Sequence, residues 1–273
     1  MDSLFQFHDL RGRTLLITGI TSGIGRGILP ILLSQGLRLA AVSRGMERMR
    51  AIRDELGASE DQLQLFDCDL SNPSAVEKAS HDILQKLPAL DGILNNAGVD
   101  PRDHFVRGND ALWNEVFQVN LFAAVSLTRI LMPRLAASPQ GRILFVGSVL
   151  FELGGSCLTA YCATKGALIG LTRSLAHELK NTGITVNCVV PGAVQVEKEA
   201  GSKEVTERIE GWQSVPRRLA PADLGGLVCL LLSGAGGAIC GQAITVDGGI
   251  VHPLAGPEFQ GRDLNPPWPL APE

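Results

Sequence analysis

The chain has 273 residues, 45% of them hydrophobic and 19% charged, with 24 basic against 28 acidic side chains and a net charge of −4. That is too apolar for disorder, and positive charge is nowhere concentrated, which argues against nucleic acid as the main partner. The length suits one large domain.

The N-terminal MDSLFQFHDLRGRTLLITG lacks a basic stretch leading into an apolar one, so no secretory signal is expected. Apolar runs then alternate with amphipathic stretches. The pattern predicts a strand over Thr14–Thr18 and a helix over Ile24–Gln35, then a strand over Arg38–Val42 and a helix over Met46–Leu56. A strand over Gln62–Phe66 precedes a helix over Ser74–Leu87, and a strand over Gly92–Leu94 precedes a long helix over Asp110–Ala136. Arg142–Val146 and Ile184–Val189 read as strands around a helix at Thr159–Asn181, and a helix at Ala222–Leu232 precedes a last strand at Ala243–Val246. Continuously apolar strands suit a parallel sheet covered on both faces, and strand–helix alternation predicts a doubly wound, Rossmann-like α/β sheet of about seven strands. Pro30 falls inside the first helical stretch, where an interior proline costs roughly 3 kcal/mol, so a kink or a later helix start is expected.

Residues 1–251 read as one dinucleotide-binding catalytic domain. The charged segment Val196–Ser214 follows a strand's C-terminal end, where ligands bind in open α/β sheets, and reads as a mobile substrate loop near residues 194–214. Residues 252–273 are a Pro-rich extension. Leu224–Val246 carries no formal charge, but its continuous apolar part is too short for a membrane span. Six cysteines without a CxxC pair read as reduced thiols of a cytoplasmic protein. The dispersed histidines give no support for a metal site.

Three motifs carry chemistry. Thr18-Gly19-Ile20-Thr21-Ser22-Gly23-Ile24-Gly25 joins the first strand to the first helix, and glycines there let backbone approach a pyrophosphate at the positive end of the helix. Some twenty residues on, where an acid would read a ribose 2′-hydroxyl, stand Ser43 and Arg44; a guanidinium suits a 2′-phosphate. Tyr161 and Lys165 are i and i+4 on one helix face, and Tyr161 is the one tyrosine in the chain. A phenol is a poor acid–base group at neutral pH; a neighbouring ammonium favours the phenolate. Ser148 lies thirteen residues upstream at a strand end.

In these residues the chain resembles the tyrosine-dependent short-chain dehydrogenase/reductase family from about Leu10 to Gly249. TGITSGIG matches the family's TGxxxGIG turn, Asp69-Leu70 the pair whose acid contacts adenine, and Asn95-Asn96-Ala97-Gly98 the NNAG signature. Asn120, Ser148, Tyr161 and Lys165 match the catalytic set. The resemblance implies cofactor contacts from Gly19, Thr21, Ser22, Gly23, Ile24, Gly25, Ser43, Arg44, Asp69, Leu70, Asn96, Ala97, Gly98, Tyr161, Lys165, Pro191, Gly192, Val194 and Val196. It implies Tyr161 as general acid–base, Lys165 lowering its pKa and binding the nicotinamide ribose, Ser148 holding the substrate oxygen, and Asn120 holding a relay water. Two positions depart: Val196 stands where the family often has threonine, and Ser22 where NADP-preferring members often have a basic residue. The implied activity is NADP(H)-dependent interconversion of a ketone or aldehyde and an alcohol, with some use of NAD(H), in a homotetramer or homodimer. Alternatives are a 3-oxoacyl carrier-protein reductase, an NAD-linked sugar or alicyclic alcohol dehydrogenase and, more remotely, a non-catalytic nucleotide-sensing protein.

Overall fold

The computed structural model describes residues 5–106, 108–196 and 203–251. Seven strands form one parallel sheet: β1 (Thr14–Thr18), β2 (Arg38–Ser43), β3 (Leu63–Asp67), β4 (Gly92–Asn95), β5 (Arg142–Val146), β6 (Thr185–Pro191) and β7 (Ala243–Val246). Their order is β3-β2-β1-β4-β5-β6-β7. β1 pairs with β2 on one side and β4 on the other, with Leu16 opposite Ala40 and Ile93. The order reverses at β1, so the crevice beyond its C-terminal end is the place where a ligand binds in such a sheet.

The helices are α1 (Gly23–Ser34), α2 (Met46–Glu55), α3 (Pro73–Lys86), α4 (Asp110–Phe117), α5 (Ala123–Ala137), α6 (Leu150–Leu153), α7 (Thr159–Glu178), α8 (Lys203–Glu210) and α9 (Pro221–Leu232). Successive strand residues face opposite sides of a sheet, and the core divides accordingly. Leu16, Ala40, Ile93, Ile143, Phe145 and Val186 pack with Ile83, Leu127, Leu131 and Leu168 from α3, α5 and α7. Leu15, Ile17, Leu39, Leu94 and Leu144 pack on the other face with Ile28 and Leu32 of α1 and Leu224 and Val228 of α9.

The long helix expected over Asp110–Ala136 is interrupted. α4 and α5 are joined by a π-helical turn, Gln118–Phe122, closed by the Ala123 N–H donating to the Gln118 carbonyl. By length and apolarity Asp110–Ala137 could cross a membrane, yet Leu127, Leu131 and Leu135 are fully buried in the core. α1 begins at Gly23 and runs unbroken through Pro30, so the later start is not found; Pro30 is exposed at its surface. The expected strands move by a residue or two: β6 extends to Pro191, which pairs with Val246. Val196 and 203–214 of the expected loop are described, with α8 inside them; residues 197–202 and the extension 252–273 lie outside the described residues.

Candidate active site

β1 leads into Gly19, whose φ of +75° and closeness to Ala97 demand glycine: a Cβ there would lie 2.8 Å from the Ala97 Cα. The two loops that meet here are stitched by Thr18, whose Oγ1 accepts from the N–H groups of Asn96 at 3.0 Å and Ala97 at 2.9 Å. Asn96 Nδ2 donates back to the carbonyls of Thr18 and Gly19. α3 and α4 are capped by Asn72 and Asn109, whose side chains accept from Ala75 and Leu112 N–H groups. Ser22 gives α1 no such side-chain cap. The first-turn N–H groups of α1, with Thr21, Ser22, Gly23, Ile24 and Gly25 around them, therefore fit a diphosphate, as the helix dipole favours.

Ser43 and Arg44 follow at the end of β2. Ser43 is buried, and its hydroxyl accepts from the Ile20 N–H at 3.0 Å. It braces the glycine turn, a role its sequence position does not show. Arg44 is exposed and its Nη1 lies 3.7 Å from Asp69 Oδ1. Asp69 also accepts from the Ser71 N–H and hydroxyl, and the Leu70 carbonyl accepts from Gln118. The structure thus sets Arg44 and Asp69 side by side beyond the C-terminal ends of β2 and β3.

Val196 lies on the glycine turn: a Cβ at Gly23 would be 3.8 Å from Val196 Cγ1. The segment before it is held by Val194 N–H donating to the Gly192 carbonyl and Gln195 N–H to Leu219. Gly192 has no room for a side chain against Asp247, and the Val149 N–H donates to Pro191. Of Pro191, Gly192, Val194 and Val196, the last is the one whose side chain reaches the glycine turn in these contacts.

The four expected catalytic side chains meet at the C-terminal ends of β4 and β5. Ser148 stands beside the Tyr161 phenol and opposes the rise in its pKa; its hydroxyl accepts from the Leu150 N–H at 3.2 Å, and Lys165 Nζ lies 5.5 Å from the Tyr161 ring centroid. A Cβ at Gly98 would be 3.4 Å from Lys165 Nζ and 3.5 Å from Asn120 Oδ1. Asn120 sits in the π-helical turn, a geometry frequent at functional sites.

One expected effect is not found. Lys165 was expected to lower the Tyr161 pKa. Instead burial pushes the phenol up to about 12, opposed by Ser148, while Asp100 adds to the rise. The ammonium donates to the Val146 carbonyl at 2.7 Å, and burial brings its own pKa down to about 8 against the opposing pull of Cys188 and Asp100. The physical reason is desolvation, which disfavours both charged forms. Asn120 was expected to hold a relay water; its side chain is engaged within the protein. Its Oδ1 accepts from the Val99 N–H at 2.8 Å, and its Nδ2 donates to the Val99 carbonyl and to Thr164 Oγ1. Thr164 donates in turn to the Tyr161 carbonyl at 2.7 Å. Thr18 and Thr164 were missed as site residues; Thr18 carried a signal, as the first letter of the glycine motif. Among the described residues no group of three or more His, Cys, Asp or Glu is placed to hold a metal.

A glycine cradle at an uncapped helix end, a guanidinium at its far side and a Ser–Tyr–Lys cluster at the near one define a dinucleotide-binding α/β protein with acid–base groups beside the crevice. A family model described as short chain dehydrogenase matches residues 13–206. The chain is 34% identical over 250 residues to nodulation protein G of Rhizobium sp. (strain N33), covering 89% of this chain and 98% of that protein. It is 30% identical over 244 residues to the 3-oxoacyl-[acyl-carrier-protein] reductase FabG of Escherichia coli, covering 89% and 98%. Its fold superposes with a TM-score of 0.81 and 31% identity on a candidate NAD(P) dependent gluconate 5-dehydrogenase of Beutenbergia cavernae solved with bound NADP, covering 89% and 98%. The chain belongs to the short-chain dehydrogenase/reductase family and is an NAD(P)-dependent oxidoreductase.

Proposed function

We propose that this chain uses NADP(H) in preference to NAD(H) to interconvert a small ketone or aldehyde and its alcohol, with Tyr161 as general acid–base. The observation that carries this reading is the meeting of Tyr161 with the buried Lys165, whose Nζ lies 5.5 Å from the phenol ring, beside Ser148. The nicotinamide dinucleotide supplies or takes the hydride when bound. Gly19 to Gly25 hold its diphosphate, Arg44 its 2′-phosphate, and Asp69 with Leu70 its adenine. Asn96, Ala97, Gly98 and the segment from Pro191 to Val196 hold the rest. Tyr161 gives its proton to the carbonyl oxygen and takes one back in the reverse direction. Ser148 donates a hydrogen bond to the same oxygen as charge develops there. Lys165 binds the ribose hydroxyls and keeps positive charge under the phenol. Asn120 acts through Val99 and Thr164 as a positioning residue.

The NADP-bound structural relative supports the cofactor choice, as does the absence of a carboxylate at Ser43. A carrier-protein reductase is the second reading, favoured by the FabG relative; the acidic segment Val196–Glu210 is poorly suited to an acidic carrier protein. Exposed Phe122 and the Trp113–Phe117 stack at 5.9 Å support assembly through α4 and α5 into a homotetramer. Six free cysteines fit the cytoplasm. NADPH oxidation measured against a panel of carbonyl compounds, with a carrier-protein thioester among them, tests the proposal. Turnover on none of them, or on the thioester alone, overturns it.

A further inference from the structure

Hydride transfer as described above gives Asp100 no role, although the chain holds it beside the catalytic side chains. Asp100 follows Val99, whose N–H and carbonyl are both bound by Asn120. The same Asn120 Nδ2 donates to Thr164 Oγ1 at 3.2 Å, and Thr164 stands between Tyr161 and Lys165 on α7. The Val99–Asp100 peptide is thereby tied to the turn of α7 that carries both. A Cβ at Gly98, two residues before Asp100, would be 3.4 Å from Lys165 Nζ. Beyond Asp100, the Asp103 N–H donates at 2.9 Å to the carbonyl of Cys157, one helical turn before Tyr161. Val99 and Asp103 are both anchored, and Asp100 lies in the short span between them.

Its charge is unspent. Asp100 is exposed, and among the described residues its carboxylate has no hydrogen bond or ion pair. Burial dominates the pKa shifts of Tyr161 and Lys165, and Asp100 adds an upward pull on both, as a negative charge near a phenol and an ammonium does. Arg102, also exposed, is not among the charges that shift either group. A substrate whose carbonyl oxygen meets Tyr161 and Ser148 therefore presents its neighbouring substituents within the field of this carboxylate. An ionised carboxylate accepts hydrogen bonds and donates none, and like charges at a protein surface repel across several ångströms.

We propose, resting on the carbonyl-reducing reading above, that Asp100 selects the charge of the substrate. It repels a carboxylate or phosphate carried next to the reacting carbonyl and accepts from a hydroxyl in the same place. The substrate class is then an uncharged hydroxy ketone or hydroxy aldehyde, and a 2-keto acid is the class turned away.

The test separates binding from chemistry. The full chain is saturated with NADP⁺, which cannot reduce a ketone, and titrated calorimetrically with pyruvamide and with pyruvate, a neutral and an anionic ketone of nearly the same shape. Wild type is expected to bind pyruvamide more tightly. Asp100→Asn is expected to lower that preference about tenfold, and Asp100→Glu to keep it. Lys165 and the dinucleotide are the same in all three proteins, so the ratio isolates the carboxylate, and a merely structural role would not move it. Wild type binding pyruvate as tightly as pyruvamide, affinity for neither, or a preference unchanged in Asp100→Asn overturns the inference. NADPH oxidation with hydroxyacetone tests the reaction itself: its absence counts against the carbonyl-reducing reading, whereas the affinity ratio is read without turnover and bears on Asp100 alone.

Discussion

Ile20 donates its N–H to Ser43 Oγ at 3.0 Å, a buried hydrogen bond that fastens the glycine turn to the end of β2. Removing the acceptor leaves a buried N–H without a partner, at a cost of about 1–3 kcal/mol. Ser43→Ala is expected to lower stability by that amount in chemical denaturation and to weaken NADP and NAD binding by the same factor, since the diphosphate turn serves both. A loss confined to one dinucleotide would show that Ser43 reads the ribose instead.

Arg44 makes the complementary case. Its guanidinium is largely exposed beside Asp69, so it contributes little to the fold and is free to contact a 2′-phosphate. A charge-assisted contact is worth about 1.5–3 kcal/mol, which corresponds to a preference of roughly ten- to a hundredfold. Arg44→Ala is expected to lose that much kcat/KM with NADPH and to keep its value with NADH. An unchanged NADPH-to-NADH ratio would remove Arg44 from the cofactor site.

Tyr161→Phe removes the phenolic proton and keeps the ring. Loss of a positioned acid–base costs typically 10²–10⁴ in rate, with fold and dinucleotide affinity nearly intact. Turnover above about a tenth of wild type would assign the proton transfer elsewhere.

Stability should depend on pH in two opposed windows. Lys165 has a folded pKa of about 8 against an ordinary 10.5, so between those values the unfolded chain binds more protons and stability rises with pH. Tyr161 has a folded pKa of about 12 against 10.0; above pH 10 the unfolded chain loses its proton first and stability falls. Lys165→Met should abolish the rising limb and add up to about 3 kcal/mol below pH 8. Thermal unfolding followed from pH 7 to 11 in both proteins measures this, and parallel curves would contradict it.

Phe122 is 52% exposed and tilts against Phe117 at 6.2 Å between ring centroids. If this surface joins subunits, Phe122→Glu places a charge in the interface and lowers the mass measured by light scattering at micromolar concentration. A monomeric wild type, or an unchanged mass in the variant, would contradict assembly through this face.

The strands were legible because a buried parallel strand announces itself as an uninterrupted apolar run, as TLLIT and RILFV do. The meeting of Ser148, Tyr161 and Lys165 was legible because two are i and i+4 on one helix and the third ends a recognisable strand. What stayed hidden depends on partners distant in sequence. Ser43 bonds a backbone group 23 residues away, Asn120 one 21 residues away, and Lys165 one 19 residues away. No spacing rule reports such partners. Spacing also says nothing of desolvation, which is why the expected lowering of the Tyr161 pKa came out reversed.

The π-helical turn at Gln118–Phe122 has a consequence for how this segment tolerates change. One inserted residue advances a helix by about 100°, so α4 and α5 run in different phase although the helical path between them is continuous. Trp113 and Phe117 can stack on an outer face while Leu127, Leu131 and Leu135 keep their stripe against the sheet. Between them Asn120 turns inward without displacing either row. The extra residue thus works as a vernier: substitutions that reshape the outer face of α4 leave the alignment of α5 untouched, whereas deleting a single residue from the turn rotates Asn120 away from Val99.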